Sequence, residues 1–594
     1  MVSLLVKGIV AKITEHPTPL QVLVITALIW AAIYLPGLGS VELKHEEPRR
    51  ALPAVHMLAS GDWVVPRVGS APFLRKPPML QWLIALSFLA TGTKSEWAVR
   101  LPSVLATLAL ALAIGRIGGY WLGTRGGLLA AILFLTNFAI LETGRLAELE
   151  AVYIAFSGIG LLIWIAAWLD GAQGWKLWLS PAIFLSFAML TKGPTHLIFF
   201  YGVVLPTLFF AKDLRKLSHP AHWCALALIV GLFGAWALPC SLAIGAHDPI
   251  GVWRFWIHQI TSRASGSEAS HFHLAPWLSS FPNTLKNFLP WTPLLFLLWN
   301  RGAAREDPTP QSGRPQLAKR PAGYVGQAGS GEVADTPRVD GSREEAWFRG
   351  GRFGMVVTCV LMSLLPNGSP RYLYPLFVVP CILLAQVLVV DQLAGTTFPA
   401  SVSIRERTLR FWKVANLFLL VLAGAGILSV PFIARMNVAT LTGLLACAFL
   451  FLFGLVASSA NSIGFSSRVL RQAITTAAVF MIAMMLYALA IVPRVNSLSY
   501  GAREVAGNIR AKLPPDAILW IQENEYRPFW YYLEPKARYF SRTEEISPDA
   551  RYFILPKQLS LGFIQDPRWR NTHFQTLSEI VDNEKKAFVL LERQ

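Results

Sequence analysis

The chain has 594 residues, of which 54% are hydrophobic and only 15% are charged, and its formal net charge is +18 at pH 7. This composition excludes an ordinary water-soluble globular protein, which has more charged residues and shorter apolar runs. The positive charge does not indicate nucleic-acid binding, because the basic residues fall mainly in short loops between apolar segments. The sequence therefore predicts a polytopic α-helical membrane protein.

The N-terminal residues predict an amphipathic helix on the membrane surface, since apolar residues recur near helical spacing. The first long apolar run begins about twenty residues into the chain without a small-residue cleavage site, so we do not expect a cleaved signal peptide. Hydropathy then predicts about 13 transmembrane helices. They lie at about 20–38, 99–119, 126–141, 151–168, 177–190, 195–211, 222–246, 284–300, 353–366, 372–391, 411–432, 437–458 and 473–493.

Basic residues predict the orientation of these spans. If the N-terminus is cytoplasmic, groups of Lys and Arg fall repeatedly in cytoplasmic loops, as the positive-inside rule requires. The same orientation places the first outer loop, 39–98, and the loop 247–283 on the outer face. An odd number of spans leaves the C-terminus outside as well. We therefore predict a transmembrane domain at 1–494 and a small extracytoplasmic α/β domain at 495–594. The basic groups include Lys212, Arg215, Lys216, Arg405, Arg407, Arg410, Lys413, Arg468 and Arg471.

Two further segments have a distinct composition. Residues 301–350 are rich in Gly, Pro, Arg and Ser and lack apolar periodicity, which predicts a disordered cytoplasmic loop. In the C-terminal domain we expect a helix at 499–513 and strands at 517–522, 537–541, 551–555 and 587–592. Its aromatic run from Tyr526 to Tyr532 has two interpretations, a sugar-binding groove or the core of the domain, and the core is favoured.

Charged residues are concentrated in the first outer loop. Glu46 and Glu47 precede Arg49 and Arg50, and Lys76 stands in an Arg-Lys-Pro-Pro turn. Charges beside a membrane are costly unless they bind something, so this loop is a candidate functional site. A carboxylate there can take a proton from an acceptor hydroxyl, and cations can neutralise a phosphate leaving group. Transfer of a sugar from a lipid-linked phosphate needs both. Capping of the following helix is the alternative interpretation of both glutamates.

Adjacent helical residues point about 100° apart, so only one of the two glutamates is expected to face a substrate. Other outer loops add candidates for the same site. Arg145 and Arg371 suit a donor phosphate, and Lys192, His258 and Arg263 suit a substrate. Lys192 has the alternative role of a lipid-headgroup anchor. His271 and His273 alone are a weak metal signal, so we predict no metal site.

The motifs along the chain resemble a known family. In order they read E-E-P-R, S-G-D-W-V-V-P-R, R-K-P-P, E-W-A-V-R-L-P-S, R-L-A-E-L-E, L-T-K-G-P, L-P-W-T and P-R-Y-L-Y-P. This series, from about residue 20 to 390, resembles the C-type glycosyltransferases of the protein O-mannosyltransferase and lipid A aminoarabinose transferase superfamily. The resemblance implies a polyprenyl-phosphate-linked sugar donor and an inverting transfer outside the membrane, without a nucleotide.

The resemblance also implies roles for single residues. The family's acidic pair falls on Glu46 and Glu47, its second acid on Glu150, its phosphate-binding lysine on Lys76 and its late tyrosine on Tyr372. The chain departs from the family in three ways. Glutamate replaces the usual aspartate at the first and third of these acids. Arg75 replaces an acid before Lys76, which argues against a divalent metal cofactor. The lysine that often precedes the late tyrosine is missing, and Arg371 is its expected substitute.

We therefore expect a multi-pass protein of the bacterial inner membrane whose active site faces the periplasm or exterior. Its expected partners are the polyprenyl-phosphate sugar, a lipid or glycan acceptor and membrane lipids, without nucleic acid or cofactor. Two alternatives remain open. A protein O-mannosyltransferase would use a peptide hydroxyl as acceptor. A lipid or sugar transporter would need charges near the bilayer midplane, and the middles of the spans carry almost none.

Overall fold

The structure, a computed structural model, describes residues 15, 17–44, 46–245, 251–265, 282–299, 341–363, 370–389, 399–434, 436–459, 465–498, 501–523, 526–534, 536–570, 572–582 and 585–594. The first part of the chain contains a short hairpin, β1 (Arg67–Val68) and β2 (Ala71–Pro72), among eleven helices of the described residues. These helices are α1 (Pro19–Tyr34), α2 (Glu47–Ser60), α3 (Met79–Thr91), α4 (Glu96–Ala113), α5 (Gly119–Leu135), α6 (Phe138–Thr143), α7 (Leu149–Leu169), α8 (Gly174–Lys192), α9 (His196–Phe210), α10 (Pro220–Ile244) and α11 (Gly251–Ser265).

Six further helices complete the apolar part of the chain. They are α12 (Gly341–Ser363), α13 (Val378–Val389), α14 (Pro399–Ile433), α15 (Val438–Ser459), α16 (Phe465–Leu486) and α17 (Val492–Leu498). Short 3₁₀ segments lie at Leu214–Ser218, Thr292–Leu298 and Pro370–Phe377, and π-helical turns at Ile114–Gly118 and Tyr487–Ile491. Most of these helices pack through one large apolar core, and smaller separate clusters join α14, α15 and α16.

Within the described residues, 7 helical stretches are long and apolar enough to cross a membrane. A further three apolar helices, α1, α3 and α9, are shorter. One of the 7 stretches, Glu96–Leu135, is broken at Gly123, where the backbone has φ +71 and ψ 165. That break divides it where hydropathy predicts two separate spans. The chain is a multi-pass membrane protein, and the total of about 13 spans stays a prediction.

Two boundaries differ from the sequence-based expectations. The first outer loop, 39–98, contains the apolar helix α3, which is buried along one side. Hydropathy did not count α3 because its 13 residues are fewer than the ~20 that cross a bilayer. The loop expected to be disordered at 301–350 lies outside the described residues up to 340, but 341–350 are helical, as the first turns of α12. Burial of Trp347 and Phe348 explains why these residues are ordered despite their charged neighbours.

The C-terminal residues form a small α/β domain. It contains α18 (Ala502–Arg510), β3 (Leu519–Gln522), α19 (Trp530–Leu533), β4 (Ala537–Phe540), β5 (Tyr552–Pro556), α20 (Lys557–Ile564), β6 (Phe574–Val581) and β7 (Ala587–Arg593). The five strands form one sheet in the order β4-β3-β5-β7-β6, in which β3 pairs in parallel with β4 and β5, and β7 runs antiparallel to β5 and β6. The sequence missed β6, an edge strand with few buried side chains.

The C-terminal domain packs on the first outer loop. Tyr531 Oη donates a hydrogen bond of 2.5 Å to the carbonyl oxygen of Lys94, and the backbone N–H of Leu43 donates one of 2.8 Å to Tyr532 Oη. Ion pairs join the two parts as well, between Arg503 and Glu96 and, when the imidazole is protonated, between His56 and Glu534. These contacts hold the domain over α2 and the hairpin, where the candidate residues lie.

Candidate functional site

Glu46 lies at the N-terminal end of α2, where Pro48 begins the first turn. Its side chain is 47% exposed, and its oxygens lie 3.5 Å from Arg49 Nη1 and 3.1 Å from Arg50 Nη2. The helix ends at Gly61, which adopts φ +76, so α2 is a defined element that holds this acid against two guanidinium groups. An exposed carboxylate beside cations is suited to proton transfer at a substrate.

Glu47, the next residue, is fully enclosed. Its side chain is 0% exposed, and its two oxygens accept four hydrogen bonds. Arg100 donates two of them at 2.8 Å each, and the backbone N–H groups of Lys44 and Ala147 donate the others at 2.9 and 2.8 Å. Glu47 therefore ties α2 to α4 and to the loop before α7, and these four donors occupy both of its oxygens.

The second group of acids stands at the start of α7. Glu148 Oε2 lies 2.7 Å from Arg371 Nη1, and Glu150 Oε1 lies 2.9 Å from Lys192 Nζ. Lys192 also lies over two aromatic rings, 5.2 Å from the centre of Tyr372 and 5.4 Å from the centre of Tyr153. Segments far apart in the chain thus form one cluster, in which Glu148 pairs with Arg371 and Glu150 pairs with Lys192.

Arg50 connects the two groups of acids. Burial lowers the pKa of its guanidinium, and the negative charges of Glu46, Glu150 and Glu148 act against that change. The first outer loop and the acids at the start of α7 therefore face a common cation. Arg50 also stacks on Phe73, with its guanidinium carbon 5.4 Å from the ring centre, so the arginine is fixed by packing as well as by charge.

The acid with the most perturbed environment outside the spans is Glu148, which our sequence-based set of candidates did not include. Burial raises the pKa of its carboxyl to about 7, and the neighbouring charge of Glu150 adds to this, while Arg371 opposes it. The motif Arg-Leu-Ala-Glu-Leu-Glu contains both acids two residues apart, and spacing alone cannot tell which one is buried beside the other. A carboxyl group that titrates near neutral pH suits acid–base chemistry.

A cavity of about 460 Å³ lies beside Arg49 of α2, between the first outer loop, α11 and the C-terminal domain. Arg49 lines it with its guanidinium carbon 5.5 Å from the ring centre of Phe73 and 5.4 Å from that of Tyr526. Within the described residues, Tyr526 Oη, Trp530 Nε1 and Arg49 Nε are buried without a hydrogen-bond partner. Aromatic rings with free donors, together with a cation, are suited to a sugar that carries an anionic group.

The C-terminal domain closes this cavity through Glu523. The backbone N–H and the hydroxyl of Ser70 each donate a hydrogen bond of 2.5 Å to the carboxylate of Glu523. Ser70 and Gly69 form the two-residue turn between β1 and β2, and Gly69 adopts φ +71. A side chain on Gly69 would collide with Glu523, so the glycine allows the hairpin to reach the domain. The aromatic run favoured as domain core also contributes to the cavity, because Trp530 is buried and still lines it, and sugar binding by this run stays a prediction.

The remaining candidates differ in placement. Lys76 is half-buried and directly follows Arg75, which lines the cavity. Arg145 donates to the carbonyl oxygens of Ile33 and Pro36, so it holds the end of α1. Two nitrogens of its guanidinium are thus engaged by backbone, and phosphate binding by Arg145 stays a prediction. Burial lowers its pKa to about 10.

Two candidates lie on α11. His258 is exposed there, whereas Phe255 on the same helix lines the cavity. The side chain of Arg263 lies outside the described residues, as do His271 and His273. In the part of the chain that the structure describes, no group of three or more His, Cys, Asp or Glu side chains is arranged to hold a metal ion.

Parts of the chain are similar to known proteins. The family model for dolichyl-phosphate-mannose-protein mannosyltransferases matches residues 75–237. The undecaprenyl phosphate-alpha-4-amino-4-deoxy-L-arabinose arabinosyl transferase of Edwardsiella ictaluri is 29% identical over 293 residues, which are 47% of this chain and 49% of that protein. The enzyme of the same name from Shewanella sediminis is 28% identical over 282 residues, 45% of this chain and 48% of that protein. The chain thus aligns with about half the length of these curated relatives.

The fold is similar over nearly the whole chain. The crystal structure of ArnT from Cupriavidus metallidurans bound to undecaprenyl phosphate superposes with a TM-score of 0.63 at 16% identity, covering 96% of this chain and 97% of that one. The chain therefore shares its overall fold with this ArnT structure. Together these comparisons confirm the resemblance to the superfamily of protein O-mannosyltransferases and aminoarabinose transferases.

Proposed function

We propose that the protein is an integral-membrane glycosyltransferase that moves a sugar from a polyprenyl-phosphate donor to a lipid A-like or other envelope lipid acceptor. The names of the relatives support the donor, and the bound molecule in the similar crystal structure supports a polyprenyl phosphate. The lipid acceptor follows from the resemblance to the lipid A aminoarabinose transferases. The observation that carries the proposal is the position of Arg50, which pairs with Glu46 and feels the charges of Glu148 and Glu150. These groups lie next to Arg49, which lines a cavity together with aromatic rings.

In the proposed reaction the acceptor oxygen forms a bond to the anomeric carbon, and the bond from that carbon to the donor phosphate breaks. The acceptor proton passes to Glu46, the more exposed carboxylate of α2. The polyprenyl phosphate leaves with its electron pair, and Lys76, Arg49 and Arg371 neutralise its charge. Negative groups around the site also stabilise the positive charge that develops on the sugar ring.

The other residues position these groups. Glu47 holds α2 through Arg100, which fixes the direction in which Glu46 projects. Glu150 and Tyr372 hold Lys192, and Glu148 holds Arg371. We place the site on the periplasmic side of a bacterial inner membrane, because the positive-inside rule assigns the outer loops to that face. The transmembrane domain, 1–494, and the extracytoplasmic domain, 495–594, would then share the cavity between them.

A detergent assay tests this function. The purified protein is mixed with a polyprenyl-phosphate sugar and extracted envelope lipids, and mass spectrometry follows the acceptor. We expect an acceptor that gains one sugar mass and a stoichiometric release of polyprenyl phosphate. Detergent removes the compartments that transport requires, so substrate that stays chemically unchanged would contradict the proposal and support the transporter alternative.

A second candidate function is transfer of the sugar to a peptide hydroxyl. It is favoured by the match to the family model for dolichyl-phosphate-mannose-protein mannosyltransferases. Adding unstructured Ser- and Thr-containing peptides to the same assay separates the two. Sugar on the lipid fraction supports a lipid acceptor, whereas sugar on peptides alone would assign the chain to the protein O-mannosyltransferases. The variant Glu504→Gln, at an exposed glutamate of α18, is the matched control for site substitutions.

A further inference from the structure

A second cavity lies far from the outer loops in the sequence, between α14 and α15, with a volume of about 540 Å³. Its apolar wall consists of Leu417 from α14 and of Leu452, Leu455 and Val456 from α15. Leu452 is 58% exposed, and both helices bury only 17% of their most apolar window inside the protein. Helices with so much unburied apolar surface face lipid, so the bilayer fills this groove.

The groove opens beside a close helix contact. A side chain on Gly454 of α15 would lie 3.1 Å from Leu420 of α14, so the two backbones approach each other there. Leu417 precedes Leu420 by about one turn, and Leu455 and Val456 directly follow Gly454. The groove thus begins at this contact and runs towards the ends of the helices that the positive-inside rule assigns to the cytoplasm.

The far end of the groove is polar. Lys413 from α14 and Ser458 and Ser459 from α15 line it. Ser459 Oγ donates to the carbonyl oxygen of Val456 at 3.1 Å. Ser458 is 4% exposed, and its Oγ is buried without a hydrogen-bond partner within the described residues. A buried hydroxyl without a partner is costly, which indicates that a ligand supplies the missing bond.

The charge at this end is positive. Glu406 is the one carboxylate in the sequence of α14, and it already pairs with Arg468 at 2.6 Å. The neighbouring polar side chain, Asn416, is turned towards α16, where its Nδ2 donates to the carbonyl oxygen of Gln472 at 3.0 Å. Lys413, in contrast to Glu406 and Asn416, is exposed and lines the groove.

We propose that this groove is a binding site for an anionic glycerophospholipid of the cytoplasmic leaflet. An acyl chain occupies the apolar wall, and the headgroup phosphate contacts the ammonium of Lys413 and accepts a hydrogen bond from Ser458 Oγ. A soluble phosphate leaves the apolar wall unfilled, and a zwitterionic lipid lacks the net charge that complements the lysine. The site lies on two peripheral helices, apart from the transfer cavity, and it does not depend on the proposed function.

Native mass spectrometry of the full-length protein in detergent tests the proposal. The probes are phosphatidylglycerol and phosphatidylcholine with identical acyl chains. We expect the wild-type protein to bind phosphatidylglycerol about fivefold more tightly than phosphatidylcholine, the ratio that one lysine near a headgroup supplies. The Lys413→Gln variant brings this ratio close to one, and Ser458→Ala weakens phosphatidylglycerol binding.

Two further variants make the result specific. Lys176→Gln alters an exposed lysine in the first turn of α8, which the same topology places on the cytoplasmic side, and it keeps the wild-type ratio. Leu452→Trp narrows the apolar wall from an exposed position and weakens binding of both lipids. The proposal is overturned if the wild-type protein binds phosphatidylglycerol and phosphatidylcholine equally, or if Lys413→Gln keeps the preference for phosphatidylglycerol. It is also overturned if Lys176→Gln removes that preference as completely as Lys413→Gln does.

Discussion

Two adjacent glutamates show how strongly local environment determines the role of a residue. The 100° separation of neighbours on a helix predicted that only one of Glu46 and Glu47 faces a substrate, without indicating which. Burial distinguishes them, because Glu46 is 47% exposed beside two arginines and Glu47 is enclosed by Arg100 and two backbone N–H groups. Two of the enclosing groups, on Arg100 and Ala147, lie 53 and 100 residues away, which one sequence does not reveal.

Glu148 supplies a pH-dependent prediction. Burial raises its pKa to about 7, so the carboxyl is protonated in mild acid and becomes an anion that can pair with Arg371 as the pH rises through 7. We expect the transfer rate of the wild-type protein to rise between about pH 6 and pH 8. In the Glu148→Gln variant the transfer rate is lower, and its rise between about pH 6 and pH 8 is lost. A pH series of initial rates with the polyprenyl-phosphate donor measures both.

The control for this prediction is Glu142→Gln. Glu142 lies 3.5 Å from the same Arg371, but its side chain is 53% exposed. We therefore expect Glu142→Gln to keep the rise in rate between about pH 6 and pH 8. A step near pH 7 that persists in Glu148→Gln would assign the titration to another group and remove Glu148 from the mechanism.

At the scale of elements, the β1–β2 hairpin is the part of the first outer loop that depends on the C-terminal domain. Gly69→Ala places a side chain against Glu523 and also forces a non-glycine residue to φ +71. We expect the hairpin to leave Glu523, which removes one wall of the cavity and lowers the transfer rate by roughly tenfold, the factor that ~1.4 kcal/mol of lost transition-state binding produces. Initial rates at saturating donor measure this loss.

Gly92→Ala is the matched control for the hairpin. Gly92 has φ +68 but no atom within 4 Å of the position of a side chain, so it carries the same backbone cost without the collision. Equal losses of activity in the two variants would show that backbone strain, and not the contact with Glu523, causes the effect.

The sequence predicted those helices whose signal lies within the helix itself. Hydropathy predicted the long apolar helices, and the break at Gly123 lies where two spans were separated. The acidic E-E-P start predicted the helix that runs over Glu47–Ser60. The misses have a common cause, because α3 and β6 are short or half-exposed and gain their stability from packing against other parts of the chain.

The site itself exists only at the scale of the whole molecule. Its acids come from two outer segments, Arg371 and Tyr372 from a late turn, and Tyr526 and Trp530 from the C-terminal domain. The resemblance to a family located many of these positions in the sequence. It did not indicate that Glu148 would be the buried acid with the raised pKa, or that Glu523 would bind the hairpin, since both depend on contacts across hundreds of residues.

The most direct measurement compares Glu46→Gln, Glu47→Gln and the control Glu504→Gln in the purified transfer assay, with thermal unfolding recorded for each protein. We expect Glu46→Gln to unfold as the wild-type protein does and to lose at least ~100-fold in turnover. Glu47→Gln should unfold at lower temperature, because it leaves Arg100 buried without its charged partner, at a cost of about 3–5 kcal/mol. Wild-type turnover in Glu46→Gln would contradict the account.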